Sequence, residues 1–395
     1  MKTLILLLGI LVAIIALNSC KPIATFLDSS LPESSFGPTS MVELHPDKKT
    51  VVIVAHNEGT EIFDLLAPFN IMSYDEQLNV FIISPEKSSI PLWKGISIFP
   101  HFSFEEFVKT GLQPDLVIVP NMLQYQDQRL HDLIRNYQSD SMMVLSVCEG
   151  SRVIAESKLF EEAYITSHHS SINKQQKEYP NLRWVKGSRF VESGKLLSTS
   201  GVAAAVEGSL MTMNVISSAK NTDKILKRIS YPSDSIRLIT SDKGMGFGDV
   251  MNIVGKTGFR SNKKLAIYLP ENFEELQVAA IIDTYNRSFP KSLYTFTQNT
   301  QYVTSKNGLL AVPNVSLESL VKVDEIIIPV SEEDLTNQEK QWLYGISNEV
   351  QGELIYYNQQ EYIFHQLYER IKDQYGRKYA KTVFRLLDYD IEPEV

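Results

Sequence analysis

The sequence predicts an α/β chain built from two doubly wound parallel-sheet domains in tandem, the second of them degenerate. Three observations predict it. Short apolar runs at residues 50–55, 79–84, 115–119 and 142–147 alternate with stretches of helical periodicity, the pattern of βαβ units around a parallel sheet. The last run breaks directly into Cys148, Glu149, Gly150 and Ser151, and then into a helical spacing of Val153, Ile154 and Ala155. Finally, the order of parts over residues 49–120 recurs over residues 263–330.

A chain of 395 residues has the length of two or three domains with sizeable cores. A formal charge of -9 argues against nucleic acid as a partner, since nothing would neutralise a phosphate backbone. Two cysteines rule out a disulfide framework and a cysteine-rich zinc site. The adjacent His168 and His169 lack the i, i+4 spacing of a helical metal site. No metal and no cofactor is expected.

In chain order, Lys2 precedes an apolar run from Leu4 to Leu17, followed by Asn18, Ser19 and Cys20. The run has the length of a signal-peptide core and falls short of the ~20 residues that span a bilayer. Residues 17–20 are similar to a bacterial lipobox, in which Cys20 is acylated and becomes the first mature residue; a membrane-anchor helix is the alternative. Both readings attach the protein to a bacterial cell membrane through its N-terminus, facing outside the cytoplasm. Residues 1–20 are thus a leader or anchor. Residues 21–49, with Pro22, Pro32, Pro38, Pro46 and many serines, read as a tether.

Residues 50–242 form the first domain. Strand 50–55 leads through a polar loop into a helix over residues 61–76. Strand 79–84, a hairpin over 92–99 turning at Lys94 and Gly95, a helix over 102–109, strand 115–119 and a helix over 128–137 follow. After the cysteine come a strand over 163–168, a hairpin over 191–200 turning at Ser193 and Gly194, and a helix from 201 to 217. Right-handed crossovers place the site of such a fold beyond the carboxyl ends of its strands, where Cys148 falls. Residues 243–262 read as a linker. Their glycine-rich start lacks the strand-to-helix setting of a dinucleotide fingerprint and the P-loop Lys-Ser/Thr, so a flexible linker or a site-covering loop is expected.

A cysteine set where a buried strand turns sharply into a helix has the geometry of a nucleophile elbow. The helix N-terminus offers unpaired N–H groups and a positive dipole, which predict a thiolate-rich, partly exposed Cys148. A small buried hydrophobe is the alternative. The N–H groups of Glu149 and Gly150 open the helix and are the expected oxyanion donors. Asp64 follows the first strand, so the fold places it near Cys148, where a carboxyl should have a raised pKa and titrate jointly with the thiol. Its plainer role is to stabilise a helix N-terminus.

Over about residues 50–220 the order of parts resembles the ThiJ/PfpI family of the class I glutamine-amidotransferase-like superfamily, whose members have a flavodoxin-like fold. Four segments carry the resemblance: Asp64 four places before Pro68, residues 146–150 around Cys148, residues 165–168 ending in His168, and residues 198–201 ending in Gly201. Asp64 with Pro68 is most similar to the isonitrile-hydratase branch and to the sensor domains fused to AraC-type regulators. The resemblance implies Cys148 as nucleophile, Asp64 as proton donor or shuttle, and His168 as base or orienter; a polar strand end is the plain reading of His168. One departure stands out. Where the family usually has a Gly-Gly pair lending N–H groups to an oxyanion pocket, this chain has Pro120, Asn121 and Met122.

In the repeat, residues 265–269 match the first strand and the helix over 277–285 the first helix, with Gln277 where Asp64 stood. Residues 308–317 follow the design of 95–104, and 324–329 echo 115–120. Residues 263–395 therefore read as a degenerate second ThiJ/PfpI-like copy, silent in catalysis, that packs in the place of a partner subunit. Two function classes remain open, both with a small-molecule partner. One is a cysteine-dependent hydratase, hydrolase or deglycase acting on small electrophilic carbon compounds. The other is a non-catalytic ligand-sensing or scaffold domain of the same fold. Cys148, Asp64 and His168 favour the first, and the altered Asn121–Met122 segment favours the second.

Overall fold

The computed structural model describes residues 43–93, 95–232, 246–259, 262–298 and 301–389. The expected leader with Cys20, and the tether up to residue 42, lie outside the described residues. Among the described residues no helix is long and apolar enough to cross a membrane.

Strand β1 (Lys49–Val54) is apolar on both faces because each face meets its own core: Val51 and Ile53 enter one, Val52 and Val54 another. It runs on to α1 (Ile62–Ser73), β2 (Leu78–Ser84), β3 (Ile90–Leu92), β4 (Ile96–Ile98), β5 (Phe102–Ser103) and α2 (Phe104–Lys109). Next come β6 (Leu116–Val119), α3 (Gln128–Asn136) and β7 (Met143–Val147), then a 3-10 turn over Cys148–Gly150 that feeds α4 (Ser151–Ser157). The first half closes with β8 (Tyr164–Ile165), α5 (Ile172–Glu178), β9 (Arg183–Trp184), β10 (Phe190–Ser193), β11 (Leu196–Thr199), α6 (Ala204–Ile216) and α7 (Ala219–Arg228). The second half holds α8 (Phe247–Phe259), β12 (Lys264–Tyr268), α9 (Glu275–Arg287), β13 (Ser292–Phe296), β14 (Val303–Thr304) and β15 (Leu310–Pro313). It ends with β16 (Glu325–Ile328), α10 (Asn337–Val350), β17 (Glu353–Tyr356), α11 (Ile363–Tyr375) and α12 (Arg377–Leu386).

The main sheet runs β10-β11-β7-β6-β1-β2-β5, and its strands are parallel except in the β10–β11 hairpin. A second sheet, β13-β12-β16-β17, is parallel throughout. The order β2-β1-β6-β7 within the first matches the order of the whole second sheet. A third sheet joins the halves: β4 pairs antiparallel with β15, Ile98 facing Ala311 and Ile96 facing Pro313. Hairpin patterns alone do not predict that pairing.

Between the two parallel sheets lies one shared core. Helix α1 is buried from Ile62 to Met72 and packs on α6 and on α9, itself buried from Glu275 to Asn286. A helix apolar nearly all round needs cover on every side, and here the other half supplies it. Phe63 meets Phe364 of α11 at 5.1 Å between ring centroids.

Two expectations are corrected. The strand expected over 163–168 shrinks to β8, which pairs with β9 apart from the main sheet. Thr166 leaves the strand because its N–H donates to the Ser198 side-chain Oγ of β11 at 2.9 Å instead of to a backbone carbonyl of a neighbouring strand. The expected linker contains a packed helix, α8. Asp249 in its first turn accepts from Thr382 Oγ1 at 2.8 Å, and Lys256 donates to the carbonyls of Ser288 and Phe289, both at 2.7 Å, just past the end of α9.

Candidate active site

The β1–α1 connection sets Glu61 and Asp64 beyond the carboxyl end of the main sheet. Glu61 is the N-cap of α1, and its Oε2 accepts the Asp64 N–H at 2.6 Å. Four residues on, Pro68 lacks the N–H that a helix would aim at the Asp64 carbonyl. Next to them, after β6, Asn121 carries two links. Its carbonyl accepts from the Glu61 N–H at 2.8 Å and its N–H donates to Asp64 Oδ2 at 3.3 Å. The N–H of Asn121 is thus turned onto the Asp64 carboxyl.

Cys148 follows β7 with φ of 56°, a left-handed conformation that few non-glycine residues adopt. A buried polar network holds it there. Ser151 Oγ donates to Gln175 Oε1 at 2.7 Å, Gln175 Nε2 donates to Ser167 Oγ at 2.9 Å, and Ser167 Oγ donates to the Cys148 carbonyl at 3.1 Å. Gly150 lets the turn sit on the end of β6, since a Cβ there would lie 2.0 Å from the Val119 carbonyl oxygen.

The electrostatics correct the expectation of an exposed thiolate. Cys148 is 4% exposed. Burial pushes its thiol well above the usual value, and the negative charges of Asp64, Glu149 and Glu61 push it further, against a hydrogen bond from the Glu149 backbone. Burial also raises Asp64 to about 7, a rise that the Asn121 N–H opposes. Glu61 is raised well above the ordinary carboxyl range by burial, then by Asp283 and Asp64. Near neutral pH the site therefore stores protons on the thiol and on the Glu61–Asp64 pair.

His168 lies on the loop after β8, its Nδ1 bonded to Ser170 Oγ at 2.7 Å and its ring tilted against that of His169, with centroids 4.2 Å apart. Burial, with the nearby charges of His169 and Arg287, holds it well below the ordinary imidazole range. The Glu149 carboxylate is engaged by Arg152 at 2.9 Å, which leaves its backbone N–H as its contribution. Among the described residues no cluster of His, Cys, Asp and Glu has the grouping of a metal site.

Sequence reasoning missed three residues here. Glu61 was readable in principle as a carboxylate three places before Asp64, the spacing of an N-cap. Asp283 and Arg287 come from α9, more than a hundred residues after the cysteine, and left no local signal.

A mostly parallel sheet with a cysteine at a strand-to-helix elbow, facing a buried carboxyl, defines an elbow-cysteine α/β protein. Residues 48–214 form a DJ-1/PfpI family domain. No curated protein sequence is significantly similar to the chain. Similar solved structures include Drosophila melanogaster DJ-1beta, 17% identical, covering 46% of this chain and 96% of that one with a TM-score of 0.40. Schizosaccharomyces pombe DJ-1 is 16% identical, covering 46% and 100%, with a TM-score of 0.40. A ThiJ/PfpI family protein from Pseudomonas syringae is 15% identical, covering 51% and 85%, with a TM-score of 0.41.

Proposed function

We propose that the Cys148 site acts on small, neutral electrophilic carbon compounds in a cysteine-dependent hydratase, hydrolase or deglycase-type reaction. Asp64 is the observation that carries this reading. A carboxyl at about 7 is half protonated near neutrality, so it both takes and returns a proton in that range. In the first step Sγ of Cys148 bonds to the electrophilic carbon and the thiol proton passes to ionised Asp64. The π pair of the carbon–heteroatom bond moves to the heteroatom, towards the elbow N–H groups of Glu149 and Gly150. Return of the proton from Asp64 to that heteroatom completes the addition. A buried, neutral thiol suits a small uncharged substrate better than an anion, which three nearby carboxyls would oppose.

A non-catalytic ligand-sensing or scaffold role is the second reading. It is favoured by the Asn121 N–H, which donates to Asp64 where the family uses this segment for an oxyanion. In either role, residues 263–395 are a reduced second copy standing where a partner subunit would, a reading supported by the shared strand order of the two sheets. The N-terminal segment tethers the protein to the outer side of a bacterial cell membrane, through Cys20 or through an anchor helix.

The test is a turnover screen of isonitriles, glyoxals and amides with wild type, Cys148→Ser and Asp64→Asn. Turnover by wild type that both variants lose supports the enzyme. Binding of a compound without turnover, unaffected by Cys148→Ser, would establish the sensor reading in its place.

A further inference from the structure

The half of the chain without a cysteine reaches into the site of the half that has one. Helix α9 ends at Arg287, whose Nη2 lies 3.4 Å from Glu61 Oε1 and 3.1 Å from Asp283 Oδ2. Its side chain is 14% exposed, Glu61's is 1% exposed, and the Arg287 Nε is buried without a hydrogen-bond partner among the described residues. The end of α9 is held in place. Lys256 donates to the carbonyls of Ser288 and Phe289, and Tyr379 Oη donates to that of Ser288 at 2.8 Å. The guanidinium therefore approaches from a fixed backbone.

The contact has a mirror image. Tyr74 stands ten residues after Asp64, as Arg287 stands ten after Gln277, and Glu274 stands three before Gln277, as Glu61 stands three before Asp64. Tyr74 Oη donates to Glu274, so each helix reaches from its C-terminal end to the glutamate N-cap of the other. In the mirror position Glu274 also meets Lys306 and Arg228. At Glu61 the ion pair comes from Arg287.

The groups that face this guanidinium come from every neighbouring element. They are Glu61 and Asp64 at the start of α1, Asp283 on α9, Cys148 at the elbow (itself beside Glu149, which pairs with Arg152), and His168, backed by His169, on the loop after β8. Three buried carboxyls and one thiol thus compete for a single positive charge.

We propose that Arg287 is a positioning residue of the Cys148 site, supplied across the seam by the second half: it holds Glu61 and Asp283 and so sets how many protons Glu61, Asp64 and Cys148 share. Removing its charge forces protons onto the carboxyls, and Asp64 then no longer ionises in time to accept the thiol proton. The inference rests on the reading of Cys148 and Asp64 as one proton-sharing site, but not on any turnover by it.

The experiment uses the full chain labelled with 13C at aspartate carboxyls. Asp64 is followed by NMR through a pH titration, its resonance identified by its loss in Asp64→Asn. Arg287→Gln is expected to raise the Asp64 midpoint by about one pH unit, a roughly tenfold change in proton affinity. Arg287→Lys keeps the charge and holds the midpoint near wild type. Asp283→Asn removes a competing carboxylate and moves the midpoint down. Opposite shifts in two variants do not arise from loosened packing. An unchanged Asp64 midpoint in both Arg287→Gln and Asp283→Asn overturns the proposal. If Arg287→Gln does not fold, Asp283→Asn decides: a downward shift supports the proposal and none overturns it. The iodoacetamide rate of Cys148 against pH separates the two levels, since a thiol inert at every pH would defeat the reactive-cysteine reading and leave the Asp64 result standing.

Discussion

Ser167 Oγ donates to the backbone carbonyl of Cys148 at 3.1 Å, so a residue nineteen places later fixes the left-handed turn that presents the thiol. Neither group reaches solvent, and Gln175 Nε2 completes the chain of donors at 2.9 Å. Ser167→Ala takes one partner each from the Cys148 carbonyl and the Gln175 amide, which retain Ser151 Oγ and Ser171 Oγ. The expected loss is about 0.5–1.5 kcal/mol. Urea denaturation measures it, and alkylation of Cys148 should change together with stability. A variant as stable as wild type would mean that the turn holds without this support.

The pH dependence of stability follows from Asp64, which stands at about 7 in the folded chain against an ordinary value of 3.8. Between those values the unfolded chain has released its proton while the folded chain retains it. Stability therefore falls as pH rises through that window, and the loss is complete above it. The Asp64 contribution is on the order of 1–4 kcal/mol. Asp64→Asn removes it, so the variant should gain on wild type as the pH is raised from about 4 to about 8. Urea midpoints at the two ends check this. A gap between the two proteins that stays constant with pH would contradict a buried, protonated Asp64.

Cutting the chain near residue 258 removes α9, α11 and α12, and with them the cover of α1, whose residues from Ile62 to Met72 are all buried. The fragment 45–258 should aggregate or dimerise through that helix. Light scattering after size exclusion distinguishes the outcomes. A stable monomer would show that the halves pack independently.

At the N-terminus, mass spectrometry of detergent-extracted protein should find Met1 absent and Cys20 acylated. An intact Met1 with an unmodified thiol would leave the anchor helix as the attachment.

The sequence by itself determined the alternation of strands and helices up to the Cys148 elbow and the residues at the sheet's carboxyl edge. Both are local properties. Residues 142–147 are apolar except for Ser146 and end at Cys148, a pattern that favours a buried strand with a sharp exit. Asp64 was readable for the same reason, since it follows β1 by a short loop and precedes Pro68 by one helical turn. Tertiary structure decided what those residues face. Periodicity says that α1 is buried but not that α9 buries it, and hairpin residues do not announce that β4 will pair with β15. The ionisation of the site was settled the same way. A helix N-terminus argues for a thiolate, but removal from water first, and then the neighbouring acidic groups Asp64, Glu149 and Glu61, push the Cys148 thiol well above its usual value. Asp283 and Arg287 take part because the second half folds over the first, and a contact between residues more than two hundred positions apart leaves no trace in either stretch alone.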